Sequence, residues 1–206
     1  MRIVPHISHS VFQENTYILY KNESMLIIDP GDDPKYYDTY FTEKAKCEAV
    51  IATHGHLDHI MAAKKLCKTY ECPFAVNSKD REIINRHEES CTRYNLPHWG
   101  TPSIDIDLSG KDEIELGDFK IKIFHTPGHT PGSICFLIDG VLFSGDTLFH
   151  RSVGRTDLPG GDHGGLMMSL KDLMSRLPGD TPVYPGHMGK TTIEEEKRFN
   201  PFIVLK

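Results

Sequence analysis

Short apolar runs separated by turn residues pattern the first half of the chain. Thr16-Tyr17-Ile18-Leu19-Tyr20 and Met25-Leu26-Ile27-Ile28 read as strands, and Lys21-Asn22-Glu23-Ser24 between them reads as a hairpin turn. Asp29-Pro30-Gly31 ends the second run. Ala49-Val50-Ile51-Ala52 predicts another strand, which opens into a histidine-rich loop. Beyond that loop Ile60, Ala63, Leu66 and Cys67 recur at helical spacing. Phe74-Ala75-Val76 predicts a short strand. Residues 78–90 are polar and compatible with a helix capped by Ser78. Residues 91–103 hold Tyr94, Pro97, His98, Gly100, Pro102 and the single tryptophan, Trp99, and predict an irregular loop.

The second half repeats the strand theme. Ile114-Glu115-Leu116, Phe119 to Phe124, Ile134 to Ile138 and Val141-Leu142-Phe143 are its runs. Phe119 to Phe124 alternates apolar with basic residues, so one face is expected to be buried and the other wet. Asp139-Gly140 is a strong hairpin signal. Helices are predicted over 165–177 and 191–199. Strands and helices recurring in two halves point to an α/β protein in which two sheets pack together with helices outside, an αββα sandwich. No low-complexity linker interrupts the 206 residues, so the expectation is a single domain over 1–206.

Composition then narrows the classes. The net charge of −6 argues against nucleic acid as a partner, although Arg151 and Arg155 leave room for a local basic patch. The N-terminus lacks the apolar core of a secretory signal, and no segment approaches the roughly 20 apolar residues of a membrane span. Cys47, Cys67, Cys72, Cys91 and Cys135 form no pair at metal-finger spacing, and an odd count fits free thiols in a reducing cytoplasm. Histidine, with 12 copies, is the residue whose usage stands out.

The sharpest cluster is Thr53-His54-Gly55-His56-Leu57-Asp58-His59, directly after a strand. Imidazole and carboxylate are the ligands that a borderline cation such as zinc accepts. His54 and His56, on a turning loop, can converge on one ion; Asp58 and His59, beginning the next helix, can face a second. An isolated histidine would more often be a hydrogen-bonded loop residue; three within one short loop would not. His129 in Pro127-Gly128-His129, Asp146 in Ser144-Gly145-Asp146 and His187 in Pro185-Gly186-His187 each follow an apolar run, as does Asp29. Ends of strands on one edge of a sandwich converge, and the neighbouring Pro and Gly hold such loops in tight shapes. Together the seven residues supply enough ligands for two ions with a position left for water. No G-x-S-x-G elbow accompanies them, which disfavours a serine hydrolase.

These motifs, in this order from about Asn15 to Pro201, resemble the metallo-β-lactamase superfamily and, within it, the glyoxalase II-like branch. The resemblance implies that His54, His56 and His129 hold one metal, that Asp58, His59 and His187 hold the other, and that Asp146 bridges them. Asp29 would orient a ligand, and His125 and Thr126 would support a loop. The implied chemistry is hydrolysis of a small-molecule thioester of the S-acylglutathione kind. A hydroxide shared by two divalent ions would attack, with Asp58 orienting it and carrying a proton. Zinc is the first expectation for the ions, iron or manganese also being acceptable to such ligands.

Departures within the motifs refine the branch. Flavodiiron-type members carry Glu where this chain has His56, and zinc β-lactamases typically carry Cys where it has Asp146, which disfavours both readings. Gly154-Arg155-Thr156-Asp157 resembles a segment of glyoxalase II-like enzymes and of persulfide dioxygenases. The latter are the alternative reading, with one iron on the equivalents of His54, His129 and Asp146. Arg155 either steers an anionic thiol substrate or pairs with Asp157. Standard glyoxalase II enzymes continue with a helical domain that grips glutathione; here 19 residues follow His187, an ending that resembles the short single-domain members, which is the expectation for this chain. Residues 91–103 are the expected replacement wall of the substrate pocket, with Trp99 and Tyr94 either touching substrate or packing the loop down.

Overall fold

A computed structural model describes residues 1–40 and 45–203. Its first sheet runs in spatial order through β1 (Arg2–Ile7), β2 (Asn15–Lys21), β3 (Ser24–Ile28), β4 (Lys46–Ile51), β5 (Phe74–Val76) and β6 (Ile106–Asp107). The pairs from β1 to β3 are antiparallel and those from β3 to β6 parallel. Between β4 and β5 lie α1 (Leu57–Ile60) and α2 (Ala63–Tyr70); after β5 come α3 (Arg81–Asn85) and α4 (His87–Arg93).

The second half contributes β7 (Glu113–Leu116), β8 (Phe119–His125), β9 (Ile134–Ile138), β10 (Val141–Gly145), the small hairpin β11 (Leu148–Phe149) and β12 (Ser152–Val153), α5 (His163–Arg176), β13 (Pro182–Pro185), β14 (Thr191–Thr192) and α6 (Ile193–Phe199). Its sheet has the order β14-β13-β10-β9-β8-β7, antiparallel except for the parallel β10–β13 pair.

The layering follows from which faces are apolar. Leu19, Leu26, Ile28 and Ile51 of the first sheet meet Phe119, Ile121, Ile123, Phe136 and Phe143 of the second, forming the central layer. The opposite face of the first sheet, with Ile18, Met25, Ile27 and Val50, is covered by Ile60, Ala63 and Leu66. The opposite face of the second, with Phe124, Cys135, Leu142 and Val183, is covered by Leu166, Leu170, Leu173 and Met174 of α5. This is the αββα sandwich expected from the chain, and it explains why β3 is buried at every position: it has an apolar layer on each side.

Local chemistry shapes the turns as expected. Asp139 and Gly140 both have positive φ (47° and 79°), as a tight turn between β9 and β10 requires. On β8, Lys120 and Lys122 face solvent, but the alternation ends at Phe124, which packs in the apolar layer under α5 with Arg176 over its ring, the guanidinium carbon 4.7 Å from the centroid.

Several elements differ from the sequence reading. β1 and β13 were not foreseen, since Arg2–Ile7 shows no clean alternation of apolar and polar positions and Pro182–Pro185 is bounded by prolines. The helix expected over 78–90 is a 3₁₀ turn at Ser78–Asp80 followed by α3 and α4, and its cap is Asn77, whose side chain accepts from Lys79 N, not Ser78. α4 also takes in Cys91 to Arg93, so the irregular loop begins at Tyr94. The five cysteines are free thiols, Cys47 and Cys72 lying with Sγ atoms 3.4 Å apart. Among the described residues no helix is long and apolar enough to cross a membrane.

The chain's end is fastened rather than appended. Glu196 of α6 is fully buried and accepts from Thr191 Oγ1 (2.6 Å), Asn200 Nδ2 (2.7 Å) and Arg151 N (2.9 Å). Asn200 also donates to Ser152 O.

Phe136 is fully buried between the sheets. Phe136→Ala is expected to cost about 3–5 kcal/mol of unfolding free energy through lost contacts and a residual cavity, read as a lower denaturant midpoint at unchanged slope.

Candidate metal centre

All seven residues singled out from the sequence meet at one edge of the sandwich, where strands of both sheets end. Three imidazole nitrogens point at one another in the first group: His129 Nε2 lies 3.2 Å from His54 Nε2 and 2.9 Å from His56 Nδ1. In the second group His187 Nε2 is 3.3 Å from Asp58 Oδ2, and His59 Nε2 is 3.9 Å from the same oxygen. Asp146 stands between them. Its Oδ1 is 3.3 Å from His59 Nε2, while its Oδ2 is 3.5 Å from His129 Nε2 and 3.6 Å from His187 Nε2.

The ring orientations are set from behind. His129 Nδ1 donates to the carbonyl of Arg155 (2.7 Å), which leaves Nε2 as the atom that faces the cluster. Asp29, at the end of β3 with φ +53°, accepts from Thr53 N and Thr53 Oγ1 at 2.7 Å each. With its proton committed to Asp29, Thr53 Oγ1 is an acceptor for His54 Nδ1 at 3.1 Å, so His54 also turns Nε2 inward. Asp29 Oδ2 further lies 3.0 Å from His59 Nδ1. Asp29 thus bears on His54 through Thr53, and its carboxylate lies beside His59 as a neighbouring charge. His125 and Thr126 have the supporting places expected of them: His125 Nε2 donates to Lys111 O, and Thr126 shares a hydrogen bond with Thr147.

Close packing leaves no slack at the centre. A Cβ on Gly186 would sit 2.4 Å from Asp146 Oδ1 and 2.6 Å from His59 Cε1. Only glycine lets the His187 loop approach so closely.

The electrostatics favour neutral imidazoles at His54 and His56 and ionised carboxylates at Asp58 and Asp146, while the carboxylates favour the protonated form of His59 and His187. Burial, then the neighbouring imidazoles, lowers the pKa of His54 well below the usual histidine value and that of His56 to about 4. Burial opposes ionisation of Asp58 and Asp146, yet His59 and His187 hold both carboxyls below their ordinary range. Burial likewise opposes protonation of His59, but Asp146, Asp29 and Asp58 raise it well above the usual value.

The residues fit a pair of cations. His59 Nε2 and Asp146 Oδ1 are buried without a hydrogen-bond partner, although buried polar groups are ordinarily satisfied. Three imidazole nitrogens converging at 2.9–3.2 Å lack the protons to satisfy one another, and a cation placed among them supplies what is missing.

Three buried residues that sequence reasoning passed over hold the loops in place. Asp80 accepts from Gly55 N (2.8 Å), Gly132 N (2.6 Å) and Thr130 Oγ1 (2.7 Å), tying the His54–His59 loop to the His129 loop. Asn15 donates its side-chain amide to Pro185 O and Met188 O, bracketing His187. Glu14, its carboxyl pushed up by burial, lies against Asp29 and His59. Each sits in a polar stretch whose periodicity carries no sign of burial. Arg155 is exposed and engaged with Asp157 through two bonds of 2.7 and 2.6 Å, and Arg151 pairs with Glu195. Tyr94 meets Phe12 edge-on at 4.9 Å, beside Leu57. Trp99 is exposed and lines a cleft with Asp33, Pro34, Lys65 and Thr69, beside α2.

With this geometry in hand, comparison with known proteins is direct. The model of the metallo-beta-lactamase superfamily matches residues 9–187, and the chain belongs to that superfamily. The hydroxyacylglutathione hydrolase GloC of Haemophilus influenzae is 35% identical over 203 residues, covering 96% of each chain. The crystal structure of BLEG-1 B3 metallo-beta-lactamase superposes with a TM-score of 0.90 at 35% identity, covering 98% of this chain and 99% of that one. TTHA1623 in a di-iron-bound form gives 0.84 at 34% identity, with 98% and 100% covered. ETHE1 from Myxococcus xanthus gives 0.79 at 27%, with 98% and 84% covered. The likeness to a B3 metallo-beta-lactamase means that β-lactam hydrolysis, set aside above on Asp146, calls for direct assay.

Because Asp80 braces two ligand-bearing loops at once, Asp80→Ala is expected to weaken metal retention about tenfold or more. Competition with a chelator, followed by metal analysis of the protein fraction, reads this directly.

Proposed function

We propose that the chain is a two-metal hydrolase of small thioesters of the S-acylglutathione kind. In this reading His54, His56 and His129 hold one divalent ion, Asp58, His59 and His187 hold the other, and Asp146 bridges them, zinc being the first candidate. The observation that carries it is the place of Asp146: its Oδ2 lies 3.5 Å from His129 of the first group and 3.6 Å from His187 of the second, and its Oδ1 lies 3.3 Å from His59 of the second. When bound, such a pair of cations supplies Lewis acidity and a water ionised near neutral pH.

The chain's own residues supply the rest. Asp58, kept ionised beside His187, is the group that orients the attacking water and accepts its proton. Asp29, through Thr53, and the Arg155 carbonyl hold His54 and His129 in the tautomers that binding requires. A thioester suits a site with no strong acid aimed at the leaving group, since a thiolate departs unaided. The likeness to the hydroxyacylglutathione hydrolase GloC over nearly the full chain supports this substrate class.

A second reading rests on a narrower subset. His54, His129 and Asp146 alone form a two-histidine, one-carboxylate set of the kind that holds a single iron for oxygen chemistry. Persulfide oxidation by that set leaves His59, Asp58 and His187 without a task, which favours the hydrolytic reading.

The test is metal content of protein purified without added metal, with S-lactoylglutathione hydrolysis measured on the same sample. About two ions per chain with turnover is the expected result, with activity lost on chelation and restored by zinc. Asp58→Asn is expected to lower kcat by about 10²-fold or more. One iron per chain, no thioester turnover and oxygen uptake with glutathione persulfide would replace this reading with the second. Turnover of a chromogenic cephalosporin without thioester hydrolysis would replace both.

A further inference from the structure

A second group of metal-ligating side chains lies away from the centre, at the edge of the first sheet. His6 on β1, His9 in the loop that follows and Asp32 beyond β3 bring one ligand atom each within 4.8 Å of one another. The group shares no residue with the seven described above. Asp32 Oδ2 lies 2.9 Å from His6 Nε2 and 2.8 Å from His9 Nδ1. His6 and Asp32 are buried, while the side chain of His9 is 58% exposed, so the group is built from inside and open on one side.

Hydrogen bonding alone accounts for this geometry poorly. Asp32 Oδ2 also accepts from His9 N at 2.8 Å, which places three donors on one carboxylate oxygen. An oxygen of this kind offers about two lone-pair directions. A cation set between Oδ2 and the two imidazole nitrogens takes the place of two protons and relieves the crowding.

The surroundings hold the ligands as metal sites are held. His6 Nδ1 faces the hydroxyl of Tyr40 at 3.1 Å, a partner for the ring nitrogen that points away from the cluster. Asp32 Oδ1 accepts from Asp33 N at 2.8 Å. The His9 ring stacks on Tyr36, with centroids 4.1 Å apart and planes inclined by 23°. Two imidazoles and a carboxylate are a ligand set for zinc and similarly borderline ions, with open positions for water.

We propose that His6, His9 and Asp32 form a separate site for a divalent cation, independent of the centre at Asp146. Its effect is to staple the loop from Ser8 to Glu14 onto the turn after β3. That loop carries Phe12, which packs beside Leu57 and Tyr94, and it delivers Asn15, whose amide brackets the His187 loop. The cation therefore stiffens one rim of the centre without touching it.

The test uses the protein with its resident metals in place, quantified by mass spectrometry, then titrated with Zn(II) by calorimetry. One additional ion per chain is expected beyond the content of the centre. His9→Ala and His9→Gln, at an exposed position where folding is undisturbed, are expected to weaken that binding at least about tenfold while leaving the resident metal content unchanged. Zinc binding by either variant equal to that of the unaltered chain overturns the proposal, as does saturation with no ion beyond the centre's content. Because the two sites share no ligand, a failure here is distinct from a failure of the hydrolase reading, which is judged on resident metal and turnover.

Discussion

Five imidazoles and two carboxylates converge where the ends of the two sheets meet, and their burial is the constraint to which the surrounding structure answers. A buried polar atom without a partner costs on the order of 1–3 kcal/mol, and a buried charge more. His59 Nε2 and Asp146 Oδ1 are such atoms. Their cost is tolerable only if cations complete the set. The loops must then hold each ring at one angle before any ion arrives. The close approach of Gly186 to Asp146 and the left-handed backbone of Asp29 are consequences of that demand.

The bracing is distributed over both halves of the chain. Asp29 ends a strand of the first sheet, bears on His54 through Thr53 and lies beside His59. Asp80, from the segment after β5, reaches across to the His129 loop of the second half. Asn15, at the start of β2, grips the loop after β13. Every ligand-bearing loop is thereby tied to another loop distant in sequence. The sandwich is what makes this possible, because the central apolar layer fixes the two sheets against each other and so fixes the distance between their edges.

The His6–His9–Asp32 group extends the same logic outward. It lies at the outer end of the first sheet, where β1 is an edge strand whose Ile3 and Val4 are only partly buried against the two apolar layers. Ligation of its side chains supplies there what packing supplies in the interior, and it bears on the loop that feeds Asn15 into the centre.

The seven residues of the centre were legible in the chain because His54 to His59 crowd behind one apolar strand, and because His129, Asp146 and His187 each stand in a short segment with Gly or Pro. The layered architecture was equally legible, since uninterrupted apolar runs such as Met25 to Ile28 need cover on both faces. What only the tertiary structure decided concerns polar residues whose partners are remote. Asp80 looks like a surface helix residue until Gly55 and Gly132 are brought to it. Trp99 is a loop residue in the sequence, and only the fold sets it in a cleft with Asp33, Pro34, Lys65 and Thr69 beside α2. Apolar periodicity is a local property and survives in the sequence; a hydrogen bond between segments tens of residues apart is not, and it exists only once the sheets have packed.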